Sequence, residues 1–257
     1  NAMAEELQKE RENLISTNQK LEAVNRNYLN MVSFVSHELK GVLGSIVMNI
    51  YALKDGYLGS LNQAQQRALK AAARSLEHFE IMVKNYLDLS RIEKEELKVT
   101  RLPLDLLEDV VKPCLVNFEK PLQEKKMILT QEIPPGLKLS GDRSLLQIVF
   151  NNLLSNAIKY GQTGGLIKIS CQLKNNSLYC EVYNDGCPIP EEKLSLLFKR
   201  FSRLPETSQV KGTGLGLFIT KEIVEKHGGQ IWVEPKTSGN SFCFTLNRGE
   251  ENDSHSN

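Results

Sequence analysis

The chain has 257 residues, a length that suits one large domain or two modest ones. Lys and Arg together number 32 and Asp and Glu 31, so the formal net charge is +1 and no basic excess indicates nucleic acid or an anionic membrane surface as a partner. The longest apolar stretch, residues 42–53, is interrupted by Ser45 and Asn49 and is too short to cross a bilayer, so we expect no membrane contact by this fragment.

The cysteines indicate a reducing compartment. There are 5, without any C-x-x-C pair, and the 4 histidines are scattered. This pattern favours buried free thiols over disulfides or a zinc site. No signal peptide opens the chain, and Asn1 and Ala2 resemble the remnant of an expression tag. We therefore expect a cytoplasmic location, with any membrane attachment supplied by an N-terminal part that the chain lacks.

Residues 1–30 are predicted to form a helical lead-in. Apolar side chains recur at every seventh position, the spacing of a parallel coiled-coil seam that joins the next helix without a break: Leu7, Leu14, Leu21, Tyr28 and Val35. The intervening core positions are poorer in apolar residues, so a solvated charged helix remains the alternative.

Residues 31–96 predict a helical hairpin. Its first helix has an apolar face formed by Val35, Leu39, Val42, Ile46, Ile50 and Leu53. Gly56 and Gly59 break that helix, and Ser60 with Gln63 gives a capping-box pattern for the second. The second helix carries Leu69, Leu76, Val83 and Leu87. Two such helices cannot bury both apolar faces alone, which predicts a four-helix bundle with a second copy and hence a homodimer.

Residues 97–248 are predicted to form a second domain, because strand-like and helical runs alternate after Pro103. Strand-like runs are predicted at 97–102, 126–131, 166–173, 178–183, 230–233 and 241–246, and helical runs at 104–123, 142–160, 191–197 and 214–226. Helices on one face of a mixed sheet give a two-layer α/β sandwich, so the fold class of the whole chain is α+β. Residues 249–257 form a polar tail that we expect to be disordered.

His37 is predicted to lie on the outer face of the first helix of the hairpin. At 100° per residue it falls roughly 200° from Val35 and the apolar face. Gly41 and Gly44 stand beside it, and glycines there would leave a clear approach to the imidazole. A neutral imidazole is a nucleophile near pH 7, and Glu38 could orient the ring and accept its proton. A plain surface histidine is the alternative.

Two polar motifs predict a phosphate-binding site. Asn152 and Asn156 share a face of the helix that Asp142 would cap, with Lys159 near them, while Leu146, Phe150, Leu153 and Ala157 occupy the other side. Gly212, Gly214 and Gly216 would let backbone amides at a helix start face phosphates. Residues 198–211, with Arg200 and Lys211 among their cations, are predicted to form a mobile lid.

Four blocks occur in a fixed order: SFVSHELKGVLGSI, NNLLSNAIKYG, YNDGCPIP and KGTGLGLFI. In this order the chain resembles the sensor histidine kinases of two-component signalling over roughly residues 30–246. The resemblance implies a Bergerat-type ATP-binding fold, ATP and Mg²⁺ as ligands, a homodimer, and a response-regulator receiver domain as partner. It also implies that His37 takes the γ-phosphoryl group of ATP with the help of Glu38.

The resemblance assigns the nucleotide residues as follows. Asn156 is the Mg²⁺ ligand, and Asn152 supports it. The nucleotide contacts are Lys159, Tyr160, Arg200, Lys211, Gly212, Thr213, Gly214, Leu215 and Gly216. Asn184 stands where the family has its adenine-reading Asp, although Asp185 is next to it and the register is open. Gly186 would let the backbone approach the base.

The sequence departs from the family pattern at three further positions. Val42 replaces a proline, which implies less bending after His37. Gly41 replaces the Thr or Asn of members that dephosphorylate their partner, and a glycine cannot position a water. Pro188 replaces the second glycine of its block.

Two rival functions remain open from the sequence. One is a catalytically inactive pseudokinase scaffold that binds a response regulator. The other is an ATP-hydrolysing clamp of the gyrase type, which the family pattern disfavours because such ATPases have Glu where Asn152 stands.

Overall fold

Two compact units, Asn1–Leu97 and Lys98–Asn257, make up the fold. The structure is a computed structural model, and it describes residues 2–57, 59–93, 99–174, 177–203 and 212–247. Within that part of the chain, the first unit consists of two helices and the second holds every strand.

The first unit is the predicted helical hairpin. Helix α1 covers Ala2–Lys54 and α2 covers Gln63–Glu93. The single helix α1 confirms that the lead-in continues into the next helix without a break. The coiled-coil seam itself stays a prediction, with Leu7 and Leu14 exposed in the single chain.

The start of α2 corrects one expectation. Gly56 and Gly59 both have positive φ, at 82° and 107°, and end α1 as predicted. The capping box, however, joins Asn62 and Gln65 and not Ser60 and Gln63. The Asn62 N–H donates to Gln65 Oε1 at 2.9 Å, and the Gln65 N–H donates to Asn62 Oδ1 at 2.9 Å. Both pairs have the same three-residue spacing, so the local pattern could not choose between them.

The apolar faces of the hairpin are only partly covered. Leu43 and Val83 are buried where α1 and α2 contact each other, with 4% and 6% of their surface exposed. Ile46, Phe79 and Tyr86 stay exposed, Ile46 at 43%. The hairpin by itself therefore leaves apolar surface uncovered, which is the condition from which pairing with a second copy was predicted.

The second unit is built on a five-stranded mixed sheet. Its strands lie in the order β2–β4–β5–β7–β6. Strands β2 and β4 are parallel, and the other neighbours are antiparallel. The bounds are Ile128–Glu132 for β2, Leu166–Lys174 for β4, Ser177–Asp185 for β5, Ile231–Lys236 for β6 and Gly239–Asn247 for β7. All five were predicted to within a few residues.

Two short strands form a separate ribbon that the sequence did not reveal. Strand β1, Leu102–Asp105, pairs antiparallel with β3, Lys138–Gly141. The strand predicted at 97–102 therefore shares only Leu102 with β1 within the described residues, and β3 was not predicted. Four-residue strands carry too little alternation to be recognised, because their stability depends on the partner strand.

The helix predicted at 104–123 is wrong. After β1 the chain forms a π-helix at Leu106–Val111, then α3 at Lys112–Val116 and α4 at Glu119–Glu124. Asp105 caps the π-helix by accepting hydrogen bonds from the backbone N–H groups of Leu107 and Glu108. Pro113 and Pro121 lack an N–H, so each fits only the first turn of a new helix and one continuous helix is interrupted.

Two helices cover one face of the sheet. Helix α5 covers Arg143–Tyr160 and α7 covers Gly216–Lys226, while α6 is a single turn at Glu191–Leu194, shorter than the predicted 191–197. Asp142 caps α5, as predicted, through the N–H groups of Ser144 and Leu145. Phe150 of α5 meets Phe244 of β7 edge to face, with ring centroids 5.6 Å apart. The predicted apolar side of α5 is buried in this core, so its polar side faces away from the sheet.

Candidate functional site

Asn152 on the polar side of α5 fastens this helix to the start of α7. Its Nδ2 donates to the Gly216 carbonyl at 3.1 Å and to Thr220 Oγ1 at 3.2 Å. The Thr220 hydroxyl in turn donates to the same carbonyl at 2.8 Å. The sequence analysis missed Thr220, whose only local signal is a polar residue among apolar ones, four positions after Gly216.

Asn156 lies one turn after Asn152 and is half-buried. Its carboxamide makes no hydrogen bond to any part of the chain that the structure describes. A half-buried carboxamide with both of its polar atoms unused can take a ligand without breaking a bond. The geometry therefore separates two asparagines that look alike in sequence: Asn152 is bonded to the protein, and Asn156 is available.

The end of α5 carries Lys159 and Tyr160, both exposed. Partial desolvation of its amine lowers the pKa of Lys159 from its ordinary value. The last turn is held by Lys125, whose Nζ donates to the carbonyls of Ile158 at 2.6 Å and Lys159 at 3.0 Å. A cation at a helix C-terminus also interacts favourably with the negative end of the helix dipole. Lys125 was missed because it precedes these residues by more than 30 positions.

Asn184 and Asp185 end β5 on opposite faces of the sheet. Asn184 is 2% exposed and shares the inner face with Val182 and Cys180. Its Nδ2 donates to the Asp185 carbonyl at 3.1 Å. Its Oδ1 receives no hydrogen bond from the described residues. A buried acceptor without a donor is costly in a folded protein, which marks this oxygen as a point where a ligand would bind.

Both carboxylate oxygens of Asp185 are already engaged. Oδ1 accepts from the Tyr183 hydroxyl at 2.6 Å, and Oδ2 accepts from the Leu166 N–H at 2.7 Å. These two hydrogen bonds, that from Tyr183 first, lower the pKa of Asp185. Asp185 therefore anchors the start of β4.

The backbone packs closely around Gly186. A Cβ built there would lie 2.9 Å from the Tyr160 carbonyl oxygen, and one built on Gly161 would lie 2.6 Å from Met127 Cε. The Gly186 N–H donates to the Ser238 carbonyl at 2.9 Å. Gly186 thus brings the loop after β5 against the last turn of α5.

The glycine loop adjoins the other end of the polar side of α5. Gly214 has a φ of 71°, and a Cβ there would lie 2.7 Å from the Phe201 carbonyl carbon. Gly212 has open space around it. Leu215 is fully buried and donates its N–H to Thr213 Oγ1 at 3.3 Å. No side chain caps the first turn of α7, so its backbone N–H groups suit an anion.

The segment before the glycine loop is described only in part. The Arg200 guanidinium lies 4.7 Å from the centroid of the Phe218 ring, a cation–π contact. Phe201 is exposed and has a φ of 57°. Lys211 lies outside the described residues, as does the stretch 204–210, so the predicted lid stays a prediction.

His37 and Glu38 lie within α1, in the first unit. Their side chains fall outside the described part of the structure, as do the surroundings of Gly41 and the side chain of Val42. The predicted outer-face position of His37 is untested by side-chain contacts.

Two family models match the chain in succession. The model described as "His Kinase A (phospho-acceptor) domain" matches residues 27–95. The model described as "Histidine kinase-, DNA gyrase B-, and HSP90-like ATPase" matches residues 141–250. The first covers most of the helical hairpin, and the second covers four of the five strands of the main sheet and the helices that carry the candidate site.

Individual proteins similar to this chain are histidine kinases too, in agreement with the two family models. The solved catalytic domain of histidine kinase ThkA is 31% identical, with a TM-score of 0.54, and the match covers 58% of this chain and 96% of that domain. The chain belongs to the sensor histidine kinase family. The sensor protein VanS of Enterococcus faecium is 29% identical over 84% of this chain and 56% of its own length. The histidine kinase chain thus spans little more than half of that curated relative.

A second solved structure matches a larger share of the chain. The structure of ThkA in complex with the response regulator TrrA matches over 82% of this chain and 61% of that one, with 23% identity and a TM-score of 0.56. At that identity the likeness concerns the fold alone. It confirms the predicted α+β class.

The residues of this histidine kinase fit a nucleotide with Mg²⁺. Within the described part of the chain, no cluster of three or more His, Cys, Asp or Glu side chains could hold a metal ion. A carboxamide oxygen such as that of Asn156 is a hard ligand, and Mg²⁺ is commonly held by one or two protein oxygens together with phosphates and waters. The donor set therefore suits Mg²⁺ carried in by a nucleotide.

Two remaining expectations concern cysteines and membranes. Four of the thiols are free and buried as predicted, but Cys187, in the loop after β5, is exposed. No described helix is both long and apolar enough to span a bilayer.

Proposed function

We propose that this chain transfers the γ-phosphoryl group of ATP to its own His37 and then passes it to an aspartate of a response-regulator receiver domain. The observation that carries this proposal is the set of contacts at the two ends of the polar side of α5. Asn152 bonds the glycine loop at one end, and Gly186 approaches Tyr160 at the other. The available carboxamide of Asn156 lies on the helix between them, in a chain that also carries a phosphoacceptor helix.

Asn184 would recognise the base. Its unused Oδ1 would accept a hydrogen bond from the exocyclic amine of adenine, since its Nδ2 is occupied by the Asp185 carbonyl. Gly186 would hold the loop that follows β5 against the last turn of α5, next to the base. Lys159 and Tyr160 would contact the nucleotide from the last turn of α5.

The phosphates would bind at the glycine loop. Backbone N–H groups from Gly212 to Gly216 would donate to them, except that of Leu215, which donates to Thr213, because α7 has no side-chain cap. Arg200 and Lys211 would add positive charge from the lid. Asn156 would hold Mg²⁺, which when bound supplies positive charge that offsets the charge of the phosphates.

His37 would act as the nucleophile in its neutral form. One ring nitrogen forms a bond to the γ-phosphorus as the bond from phosphorus to the bridging oxygen breaks, and ADP leaves. Glu38 would accept the proton from the other ring nitrogen. In the second step the N–P bond breaks and a carboxylate oxygen of the receiver aspartate takes the phosphoryl group.

Transfer to a side chain is favoured over hydrolysis. Gyrase-type ATPases use a glutamate to activate water, and Asn152 stands at that position with its carboxamide bonded to Gly216 and Thr220. A carboxamide cannot accept a proton from water at neutral pH. The hydrolysing clamp is therefore the weaker candidate. The inactive scaffold is disfavoured because His37, Glu38, Asn156 and the glycine loop are all retained.

The proposed partners are a second copy of the chain and a receiver domain. The exposed apolar side chains of the hairpin support the homodimer. The solved complex of ThkA with its response regulator supports the second partner. We assign residues 1–30 to the lead-in, 31–96 to dimerisation and phosphoacceptance, 97–248 to ATP binding and 249–257 to a tail, in a cytoplasmic protein. The compact units meet at Leu97 and Lys98, which supports the middle boundary.

Labelled ATP tests this function. With Mg²⁺ and γ-labelled ATP, the purified chain should acquire label and pass it to a receiver domain, whereas α-labelled ATP should leave it unlabelled. Asn156→Ala should lower the labelling rate by about 100-fold or more, because an interaction with the transferring phosphates is lost. Equal labelling from α- and γ-labelled ATP, or a fully active Asn156→Ala chain, would contradict the proposal.

A further inference from the structure

Asn240 holds the turn that follows the base-recognition residues. It is the second residue of β7 and 5% exposed. Its Nδ2 donates to the Cys187 carbonyl at 2.9 Å, and its Oδ1 accepts from the Ile189 N–H at 2.8 Å. One carboxamide therefore forms hydrogen bonds to the backbone on both sides of Pro188.

The chemistry of this pair of hydrogen bonds is specific to a carboxamide. Pro188 has no N–H, so the centre of the turn cannot donate a backbone hydrogen bond to hold itself. A carboxamide offers a donor and an acceptor in one plane, which matches the carbonyl of Cys187 and the N–H of Ile189. An Asp would keep the acceptor and lose the donor, and a Leu would lose both.

The position of Asn240 ties the turn to the proposed base site. In the β5–β7 ladder its Cα partner is Asn184. The Ser238 carbonyl, just before β7, accepts the Gly186 N–H at 2.9 Å. The buried acceptor of Asn184 and the turn of Cys187–Ile189 are thus anchored to the same end of β7.

We propose that Asn240 is a positioning residue for the nucleobase: its two hydrogen bonds fix the Cys187–Ile189 turn in the shape that receives the base. This inference rests on the proposed function, since it concerns the same nucleotide site. A preformed turn lowers the cost of ordering on binding. The base does not react, so losing the turn weakens ground-state and transition-state binding alike and raises KM while kcat is kept.

Two variants and a matched control test the proposal in the full chain. Asn240→Asp and Asn240→Leu should raise the Kd for ADP with Mg²⁺, measured by calorimetry, and the KM for ATP by about fivefold or more, with kcat within about twofold. Asn247→Asp makes the same change at the other end of β7, roughly 23 Å away at 3.3 Å per residue, and should leave both constants unchanged.

The exposed thiol of Cys187 gives a readout that does not depend on nucleotide. The other four cysteines are buried, so a water-soluble aromatic disulfide reagent should react first with Cys187. Its reaction should be several-fold faster in both Asn240 variants than in Asn247→Asp, and ADP should slow it in the unmodified chain. Circular dichroism checks folding; should the Leu variant not fold, the Asp variant, which keeps one hydrogen bond, carries the test.

The outcomes separate the two proposals. Unchanged ADP affinity, KM and Cys187 reactivity in Asn240→Asp would overturn the role of Asn240. A fall in kcat without a rise in KM would also overturn it. Failure of the unmodified chain to bind ADP would instead refute the proposed function, while faster Cys187 reaction in the variants would still support the hydrogen bonds to the turn.

Discussion

Asn184 and Asp185 are adjacent, yet β5 directs one side chain to the helices and the other to the opposite face of the sheet. Asn184 presents a buried, unbonded acceptor, and Asp185 bonds to Tyr183 and Leu166. The sequence left the choice between them open. Strand direction and hydrogen bonding favour Asn184 as the base-recognition residue.

Alanine substitutions at these two positions should affect different quantities: ADP affinity at Asn184 and stability at Asp185. Asn184→Ala should raise the Kd for ADP about tenfold, because a hydrogen bond to the base is lost, with little change in folding. Asp185→Ala should lower the free energy of unfolding by about 1–2 kcal/mol, because two hydrogen bonds to a carboxylate are lost. Calorimetry and urea unfolding give the two quantities. Weakened ADP binding in a folded Asp185→Ala chain, with unchanged binding in Asn184→Ala, would reverse the assignment.

We expect His227 to make the stability of the second unit depend on pH. It is buried at the end of α7, where its Nε2 accepts the Asp142 N–H at 3.1 Å and its Nδ1 donates to the Ile223 carbonyl at 2.8 Å. Burial lowers the pKa of His227 below its ordinary 6.5. The unfolded chain therefore binds a proton at higher pH than the folded one, and stability falls as the pH drops below about 6.5.

Trp232, the single tryptophan, lies on β6 and can report unfolding of this unit. Urea unfolding followed by its fluorescence should give a free energy of unfolding that is constant above pH 7 and declines toward pH 5.5. His227→Gln should reduce this decline while lowering stability at pH 7.5, since the ring's two hydrogen bonds are lost. The same decline in both proteins would show that other groups cause it.

At the scale of elements, the long and strongly patterned segments could be predicted. Helices α1, α5 and α7 and the five strands of the main sheet have periodic apolar residues, and α5 also has a clear cap in Asp142. The π-helix and β3 could not be predicted. Each is short and is stabilised by neighbours distant in sequence, as in the pairing of Leu102 with Gly141.

The residues of the candidate site also fall into those that the sequence could predict and those that it could not. Contiguous motifs revealed Asn152, Asn156 and the glycine loop. Thr220, Lys125 and Asn240 had no motif, because each contacts the site from another part of the chain. Sequence patterns thus indicate the groups proposed to touch the nucleotide, and the fold supplies the groups that hold them.

The glycine loop offers a matched pair of substitutions. Gly214→Ala should lower the free energy of unfolding of the second unit by about 1–3 kcal/mol and weaken ADP binding, because a Cβ at φ 71° would also contact Phe201. Gly212→Ala has open space and should leave stability within about 0.5 kcal/mol. Urea unfolding, monitored by the fluorescence of Trp232, measures the free energy of unfolding of both variants. Equal losses at the two positions would contradict the proposed packing of Gly214 on Phe201.

For the whole molecule, the hairpin predicts a dimer. Light scattering at micromolar concentration should give about 58 kDa, twice the 29.0 kDa of one chain. Ile46→Glu should shift the mass toward the monomer, because Ile46 belongs to the exposed apolar face, whereas Met48→Glu should not, because Met48 lies about 200° around α1 from it. A monomeric mass for the unmodified chain would rule out the four-helix bundle.

The central claim is that the phosphoryl group is transferred to His37, and site-specific labelling tests it most directly. The purified chain with γ-labelled ATP should be labelled, and His37→Gln should abolish the label while ADP binding is retained. His78→Gln, a matched change in α2, should be labelled at the rate of the unmodified chain. Undiminished label in His37→Gln would contradict the account.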